Sequence, residues 1–430
     1  MMVDNSTTFN QNLFSFLDAS PTPFHAVQSL VAELGKQGFK PLSEQAAWGT
    51  LAAGRYYIIR NGSSLIAFTL PEACNLAEQG VRLLGAHTDS PCLKVKPRPE
   101  NVSQQLWQLG VEVYGGALLN PWFDRDLSMA GRVSYLDQKG QLQHVLINFQ
   151  KPLAVIPSLA IHLDREANQN RSINPQQHLP PIIMHTEPGE QPDFRALLEQ
   201  QIRTEHADHP IGTVMDYEIA LYDTQPAGFT GLNNDFISAA RLDNLLSCYT
   251  GLQALLTASN RPAMLVCNDH EEVGSMSASG AQGNFLQSVL QRLTQTPEQY
   301  ARMIANSWLI SADNAHAIHP NYADRHDAAH GPLLNRGPVI KTNANQRYAT
   351  NSETAAMFRH LCQQADVPVQ DFVVRTDMAC GSTIGPLTAG QIGIRTIDIG
   401  VPTFAMHSIR ELAGSQDPYY LYSALNYFFN

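Results

Sequence analysis

Three short apolar runs each stop at side chains that can ionise or bind a metal. VRLLGA (81–86) ends at His87, AMLVC (263–267) runs into Asn-Asp-His-Glu-Glu at 268–272, and SWLISA (307–312) ends at Asp313. Runs of this length and apolarity read as buried strands. In open α/β sheets ligands bind beyond the carboxyl ends of the strands, which is where these polar residues would emerge. A chain built this way needs a helix-covered sheet to bury the runs on both faces.

The rest of the pattern supplies that cover. The opening segment FNQNLFSFLDASPTPFHAVQSLVAELGKQGF spaces its apolar residues as two helices around a Ser-Pro-Thr-Pro break, and residues 55–69 read as strands. After Asn234 helix and strand alternate again. A helix is expected across 236–256, another near 284–294, a strand at GIRTIDIG (393–400) and a helix after 415. Between Arg98 and Asn234 the texture changes to strand-like stretches, VEVYGG, LQHVLINF and YEIALYD, joined by polar or Pro-containing connections. The expected fold is therefore α/β. A discontinuous domain, 1–97 with 235–430, has a central mixed sheet flanked by helices and is interrupted by a β-rich module at 98–234. Residues 164–181 are too polar and too long for an ordinary connection, and read as either a loop or an arm to another subunit.

Composition narrows the function classes. At 430 residues the chain exceeds what one hydrophobic core usually organises, so two domains are expected. A formal charge of −11 excludes a nucleic-acid partner, because phosphate binding is led by clustered Lys and Arg. Six scattered cysteines without a C-x-x-C pair read as thiols of a reducing compartment. The N-terminal residues lack the charged and apolar regions of a secretory signal, and no apolar run approaches the roughly 20 residues that span a bilayer. A cytoplasmic protein with no membrane partner is expected.

The chemistry concentrates at GAHTDSP (85–91), RLDNL (241–245), NDHEEVGS (268–275), SADNAHAIHP (311–320) and the turn before MHSIRE (406–411). In His87-Thr88-Asp89 an extended chain puts the first and third side chains on one face, so His87 can bind a metal while Asp89 orients it. The neighbours Glu271 and Glu272 would repel each other in a confined site unless one binds a metal and the other serves as a base, although a solvated helix start is the plainer alternative. Asp313 is followed by His316 and His319, three candidates where one ligand suffices. Asp243 could pair with Arg241 instead of a metal, and His407 stands alone. The stretch His270 to Gly274 is not an H-E-x-x-H motif, and the chain holds neither a G-x-S-x-G elbow nor a P-loop.

Taken in order, these segments together with FLDASPTPFHAV, WFDRDLSMAGRV, IPSLAIHLDR, GPVIKTNANQRYAT and CGSTIGP closely resemble the aspartyl aminopeptidase family, the M18 metallopeptidases, over nearly the whole chain. The resemblance implies two divalent metal ions, zinc first and cobalt or manganese as alternatives. His87, Asp243 and Asp313 would hold one ion, and Asp243, Glu272 and His407 the other, with Asp243 bridging. It further implies Glu271 as general base, with Lys341 and Tyr348 in a substrate pocket that favours an N-terminal Asp or Glu. His162 is expected to reach a neighbouring subunit's site from an inserted dimerisation domain, and the subunits to gather as dimers into a homododecamer acting on peptides. Thr376 and Ala379 depart from the Asn and Pro more usual in the family, near the expected pocket. Two rival readings share these residues: a two-metal carboxypeptidase or deacylase, and a self-assembling binding protein whose metal site is structural.

Overall fold

The computed structural model describes residues 2–430, with side-chain surroundings from residue 5 onward. The chain packs as two compact units, one formed by the chain up to Ser90 with Ala227–Met406 and Glu411–Asn430, the other by Pro91–Pro226 with His407–Arg410.

At the centre of the first unit is a mixed sheet of nine strands among the described residues. Its four central strands, Ala263–Asn268, Arg82–His87, Trp308–Ala312 and Arg395–Gly400, are parallel neighbours in that order, with Asn268 opposite His87 and Ala312 opposite Ile399. Their carboxyl ends therefore lie along one edge. Alternation along the strands feeds two cores. Leu65, Ala67, Leu84 and Ala86 pack with Leu242, Leu245, Leu252 and the helices Met2–Asp18, Pro23–Lys36 and Asp417–Phe429. The intervening Ile66, Phe68, Leu83 and Leu309 pack with Phe285, Val289 and Met303 from the helices Phe285–Arg292 and Pro297–Asn306. Burial on both faces is why these strands are nearly continuous apolar runs.

The helix Leu242–Thr257 lies unusually close to this sheet. A Cβ on Gly251 would collide with Leu84 and stand 2.9 Å from a methyl carbon of Leu265. Helix starts follow ordinary capping chemistry: Thr22 accepts the His25 N–H ahead of Pro23, and Asn351 forms a reciprocal capping box with Thr354.

The second unit is a six-stranded antiparallel sheet in the order Leu142–Asn148, Leu127–Asp137, Ile211–Asp223, Cys92–Ser103, Leu106–Tyr114, Ile182–His185. Its core joins Leu93, Trp107, Trp122 and Ile219 with Phe194, Leu198 and Ile202 of the helix Phe194–Glu205, which Asp193 caps.

Several boundaries differ from the sequence reading. The second unit begins at Pro91 because Cys92–Ser103 is one continuous strand of its sheet. It ends at Pro226 because Gly228–Thr230 pairs with Phe236–Ala239 in a small sheet of the first unit. The start of the helix expected across 236–256 is a strand: Phe236–Ala239 pairs with Glu411–Gly414, a distant segment that local periodicity cannot reveal. The helices Phe194–Glu205, Pro297–Asn306, Ser352–Gln364 and Ile384–Ile392 were not among the expected elements. Residues 164–181 form turns and one helical turn, Pro175–His178. No helix of the described residues is long and apolar enough to cross a membrane.

The close approach at Gly251 yields a paired prediction. Gly251→Ala is expected to destabilise the protein by about 1–3 kcal/mol through overpacking. Gly35→Ala, in a helix with nothing within 4 Å of the added methyl, is expected to stabilise by about 0.5–1 kcal/mol. Denaturation midpoints of the two variants check both signs.

Candidate metal centre

His87 ends a central strand with 1% of its surface exposed. Its Nδ1 lies 3.1 Å from the Asp89 carbonyl oxygen, while Nε2 stands 3.4 Å from Asp243 Oδ1 and 3.6 Å from Asp313 Oδ1. A proton on Nδ1 donated to the carbonyl leaves the Nε2 lone pair for a cation shared with the two carboxylates, the arrangement expected of an oriented ligand. The His87 carbonyl in turn accepts the Cys248 thiol at 3.1 Å.

Asp89 is fully buried, and its two oxygens accept the backbone N–H groups of Glu271 and Glu272, each at 3.1 Å. This carboxylate fixes the single turn Glu271–Val273, which His270 (φ 64°) and Ser275 (φ 62°) enter and leave in the left-handed region. Left-handed non-glycine residues carry strain that the surrounding structure must hold, and they collect at functional sites. Asp89 also lies 3.5 Å from His87 Nδ1, so one carboxylate touches both the imidazole and the double-glutamate turn.

Asp243 stands at the head of its helix but not in it. Its backbone is non-helical (φ −82°, ψ 104°), its bond to Asn244 is cis, and Arg241 before it has φ 60°. Its N–H donates to Glu411 Oε2 at 2.9 Å, and its carbonyl accepts the Ser90 hydroxyl at 2.6 Å. Asn244 ties the same corner to the strand that precedes Asp313, donating to the Ala312 carbonyl at 2.8 Å. The Arg241 guanidinium donates to the Leu17 carbonyl at 3.1 Å.

Within the first unit two sets of potential ligand atoms converge among the described residues: one each from His87, Asp243 and Asp313, and one each from His87, Glu271 and Glu272, with the atoms of each set within 4.8 Å of one another. Burial pushes Glu271 up to about 8, with the charged His87 opposing and Asp313, Asp243 and Asp89 adding to the rise. Burial first, then Asp243, likewise hold Glu272 well above the usual carboxylate range. Asp313 goes the other way: despite burial, Lys341 and His87 hold it far below that range. His87 is raised even though burial opposes it, because Asp243, Asp313 and Asp89 favour its charged form. Carboxylates so crowded, with one lysine among them, are what a bound cation relieves, and mixed imidazole and carboxylate donors suit zinc. The donor set fits a divalent metal.

The remaining expected residues lie around this cluster or apart from it. The Lys341 ammonium is 3.3 Å from Asp313 Oδ2, 3.2 Å from the Asn314 carbonyl and 5.2 Å from the Tyr348 ring centre, and the residue is 2% exposed. His316 and His319 fall in neither set, and line a cavity that Tyr348 also borders. His407 (φ 68°) belongs to the short segment that packs with the second unit, where its Nδ1 is 3.2 Å from the Gly116 carbonyl and its own carbonyl accepts the Leu118 N–H. His162 lies exposed in a turn of the second unit.

Sequence reasoning missed two acids that hold the surroundings. Glu411 anchors the Asp243 N–H, as above. Asp398, fully buried in a central strand, accepts the Ala349 N–H at 2.6 Å and the Thr383 hydroxyl at 2.5 Å, fixing the loop that carries Tyr348 to the start of the helix Ile384–Ile392. A lone acid inside the apolar run TIDIG was the signal available.

Comparison with known proteins places this geometry. The family model described as "Aminopeptidase I zinc metalloprotease (M18)" matches residues 16–429. A probable M18 family aminopeptidase 2 of Stutzerimonas stutzeri is 61% identical over 425 residues, covering 98% of both chains. Its counterpart in Azotobacter vinelandii is 60% identical, covering 99% of this chain and 98% of that one. Among solved structures, a chain of the Ape4 and Nbr1 complex superposes with a TM-score of 0.95 at 38% identity, covering 99% of this chain and 86% of that one. The mApe1 dodecamer of S. cerevisiae gives 0.85 at 28% identity, covering 99% and 97%. The M18 aminopeptidase of Thermotoga maritima gives 0.85 at 26% identity, covering 99% and 98%. The chain belongs to the M18 family and is a zinc metallo-aminopeptidase.

Proposed function

We propose that the protein removes N-terminal Asp or Glu residues from peptides, using two divalent metal ions and Glu271 as general base. The observation that carries this reading is the convergence of His87, Asp243 and Asp313, and of His87, Glu271 and Glu272, at the carboxyl edge of four parallel strands. On this reading His87, Asp243 and Asp313 hold one ion, and Asp243, Glu272 and His407 hold the other. His407 is prepared for that task by the Gly116 carbonyl at its Nδ1, which leaves Nε2 as the ligand nitrogen. Such ions polarise a scissile carbonyl and lower the pKa of a water. Glu271 takes the proton from the attacking water and passes it to the leaving amine, while Asp89 holds the Glu271 backbone in place. Of the rival readings, a purely structural site has no use for a carboxylate in Glu271's position, and the family argues for a free amine over an acyl group.

Glu271→Gln is expected to lower kcat by about 10²–10⁴-fold with metal content unchanged. Metal lost along with activity, or metal retained with near-normal turnover, would remove Glu271 from the role of base.

Acidic preference is assigned to Lys341 and Tyr348. The lysine has two tasks on this reading: it neutralises Asp313 and supplies positive potential to the substrate side chain. Lys341→Met is expected to reduce the ratio of Asp-amide to Leu-amide hydrolysis about tenfold or more, and to weaken metal retention in the same protein. A variant that keeps the ratio would assign Lys341 to Asp313 alone.

The second unit is proposed to pair subunits, with His162 entering the neighbour's site and the pairs closing into a dodecamer in the cytoplasm. The dodecameric mApe1 of the same family supports the assembly, and six cysteines without a disulfide among the described residues support the compartment. A sedimentation mass near twelve chains is expected; a monomer or an isolated dimer would exclude the closed assembly.

A further inference from the structure

We propose that His326 is a specificity-determining residue, whose imidazole donates a hydrogen bond to the carboxylate of the substrate's first side chain. The inference rests on the acidic preference proposed above and adds a second reader of that carboxylate.

A cavity of about 290 Å³ in the first unit is lined by His316, His319, Arg325, His326 and Arg375 together with Tyr348 and apolar side chains. No aspartate or glutamate lines it. A small, mostly apolar recess with a few polar groups of one sign is the form of a site that orients a single charged side chain.

Several of those polar groups are already engaged. The Arg375 guanidinium grips both oxygens of Asp377, at 2.9 and 2.6 Å, and also donates to the Asp324 carbonyl. His319 Nδ1 accepts the Asn321 N–H at 3.1 Å. Arg325, with 69% of its side chain exposed, has its Nε 3.9 Å from Asp324 Oδ2. Lys341, outside the lining, is 2% exposed and held between Asp313 and the Asn314 carbonyl.

His326 differs from Arg375, His319, Arg325 and Lys341. Its Nδ1 is buried without a hydrogen-bond partner, and its ring meets Phe372 edge-on at 6.4 Å between centres. Its backbone is fixed, since its N–H donates to Ala323 and the preceding turn Ala323–Arg325 is tied down by Arg375 through Asp324. A half-buried imidazole held in place with its Nδ1 unpartnered costs free energy that a carboxylate in the cavity would recover. Both nitrogens of a charged imidazole donate, so the carboxylate needs only one oxygen directed at the ring. An uncharged substrate side chain would leave the imidazole unpaired, which is how a polar pocket discriminates.

The test uses the full-length, zinc-loaded protein, His326→Leu and His326→Gln, and matched Asp-, Glu- and Leu-p-nitroanilides. His326→Leu is expected to lower kcat/KM for the acidic substrates about 10–100-fold, the range of one charge-assisted hydrogen bond, chiefly through KM. The Leu substrate should stay within about twofold, since it never used that bond. His326→Gln, whose amide still donates, should fall between the two. Equal losses on all three substrates, or an unchanged Asp-to-Leu ratio in both variants, would overturn the proposal. Should His326→Leu not fold, an unaltered ratio in His326→Gln overturns it alone. Wild-type protein that does not prefer Asp over Leu overturns the acidic reading and this inference together. Wild-type preference that survives both substitutions overturns only the role of His326.

Discussion

The shared register of four parallel strands is the constraint on which the rest of the molecule depends. Because Ala263–Asn268, Arg82–His87 and Trp308–Ala312 run side by side in one direction, the residues that follow them emerge at one level whatever their chemistry. The sequence places His87, Asp269 to Glu272 and Asp313 at those exits. The crowding of acids there is imposed by the backbone and held by burial of Leu83, Leu84, Met264, Leu265 and Ile310 on the two faces. A one-residue slip in any central strand would send its apolar set to the wrong core and its acid away from the others, so the hydrophobic pattern that folds the sheet also assembles the site.

Within that edge, positive charge is unevenly supplied. Lys341 stands at the Asp313 end and holds it ionised, while burial, with the neighbouring acids adding to it, pushes Glu271 and Glu272, on the turn fixed by Asp89, toward protonation. Carboxylates of one cluster are thus shifted in opposite directions, Glu271 and Glu272 up by burial and Asp313 down by Lys341 and His87. The demand for an added cation falls on the side of Glu271, Glu272 and Asp243. Asp89 is spared from that competition, since both of its oxygens are engaged by backbone N–H groups.

The fold class was legible because its signal is local. An apolar run that stops at His87 or Asp313 announces both a buried strand and the edge where it ends. What was not legible depends on partners distant in sequence. Phe236–Ala239 becomes a strand because Glu411–Gly414 lies beside it, and nothing within FISA distinguishes a strand from the first turn of the helix that follows. Asp243 read as a helical residue from its apolar neighbours, yet Glu411, Ser90 and the non-helical backbone hold it outside the helix. Asp398 and Glu411 act on main-chain groups far along the chain, contacts that no motif spacing encodes. The Lys341 reading came from family resemblance, and its contact with Asp313 joins residues separated by 28 positions.

That contact links the chemistry to the choice of substrate. An ammonium 3.3 Å from a carboxylate has spent much of its field on it, and at this distance the pair presents to its surroundings something closer to a dipole than to a charge. A field of that kind falls off faster than that of a bare cation, so Lys341 reads an acidic side chain only at close approach, and a second donor beside it extends that reading. The cavity bordered by Tyr348 supplies what the pair lacks: imidazole and guanidinium groups with no carboxylate among its lining residues. Division of labour follows from the geometry on this reading. The lysine keeps Asp313 ionised for a metal while lending what field remains to the substrate, and His326, whose Nδ1 has no hydrogen bond within the protein, adds the directed contact.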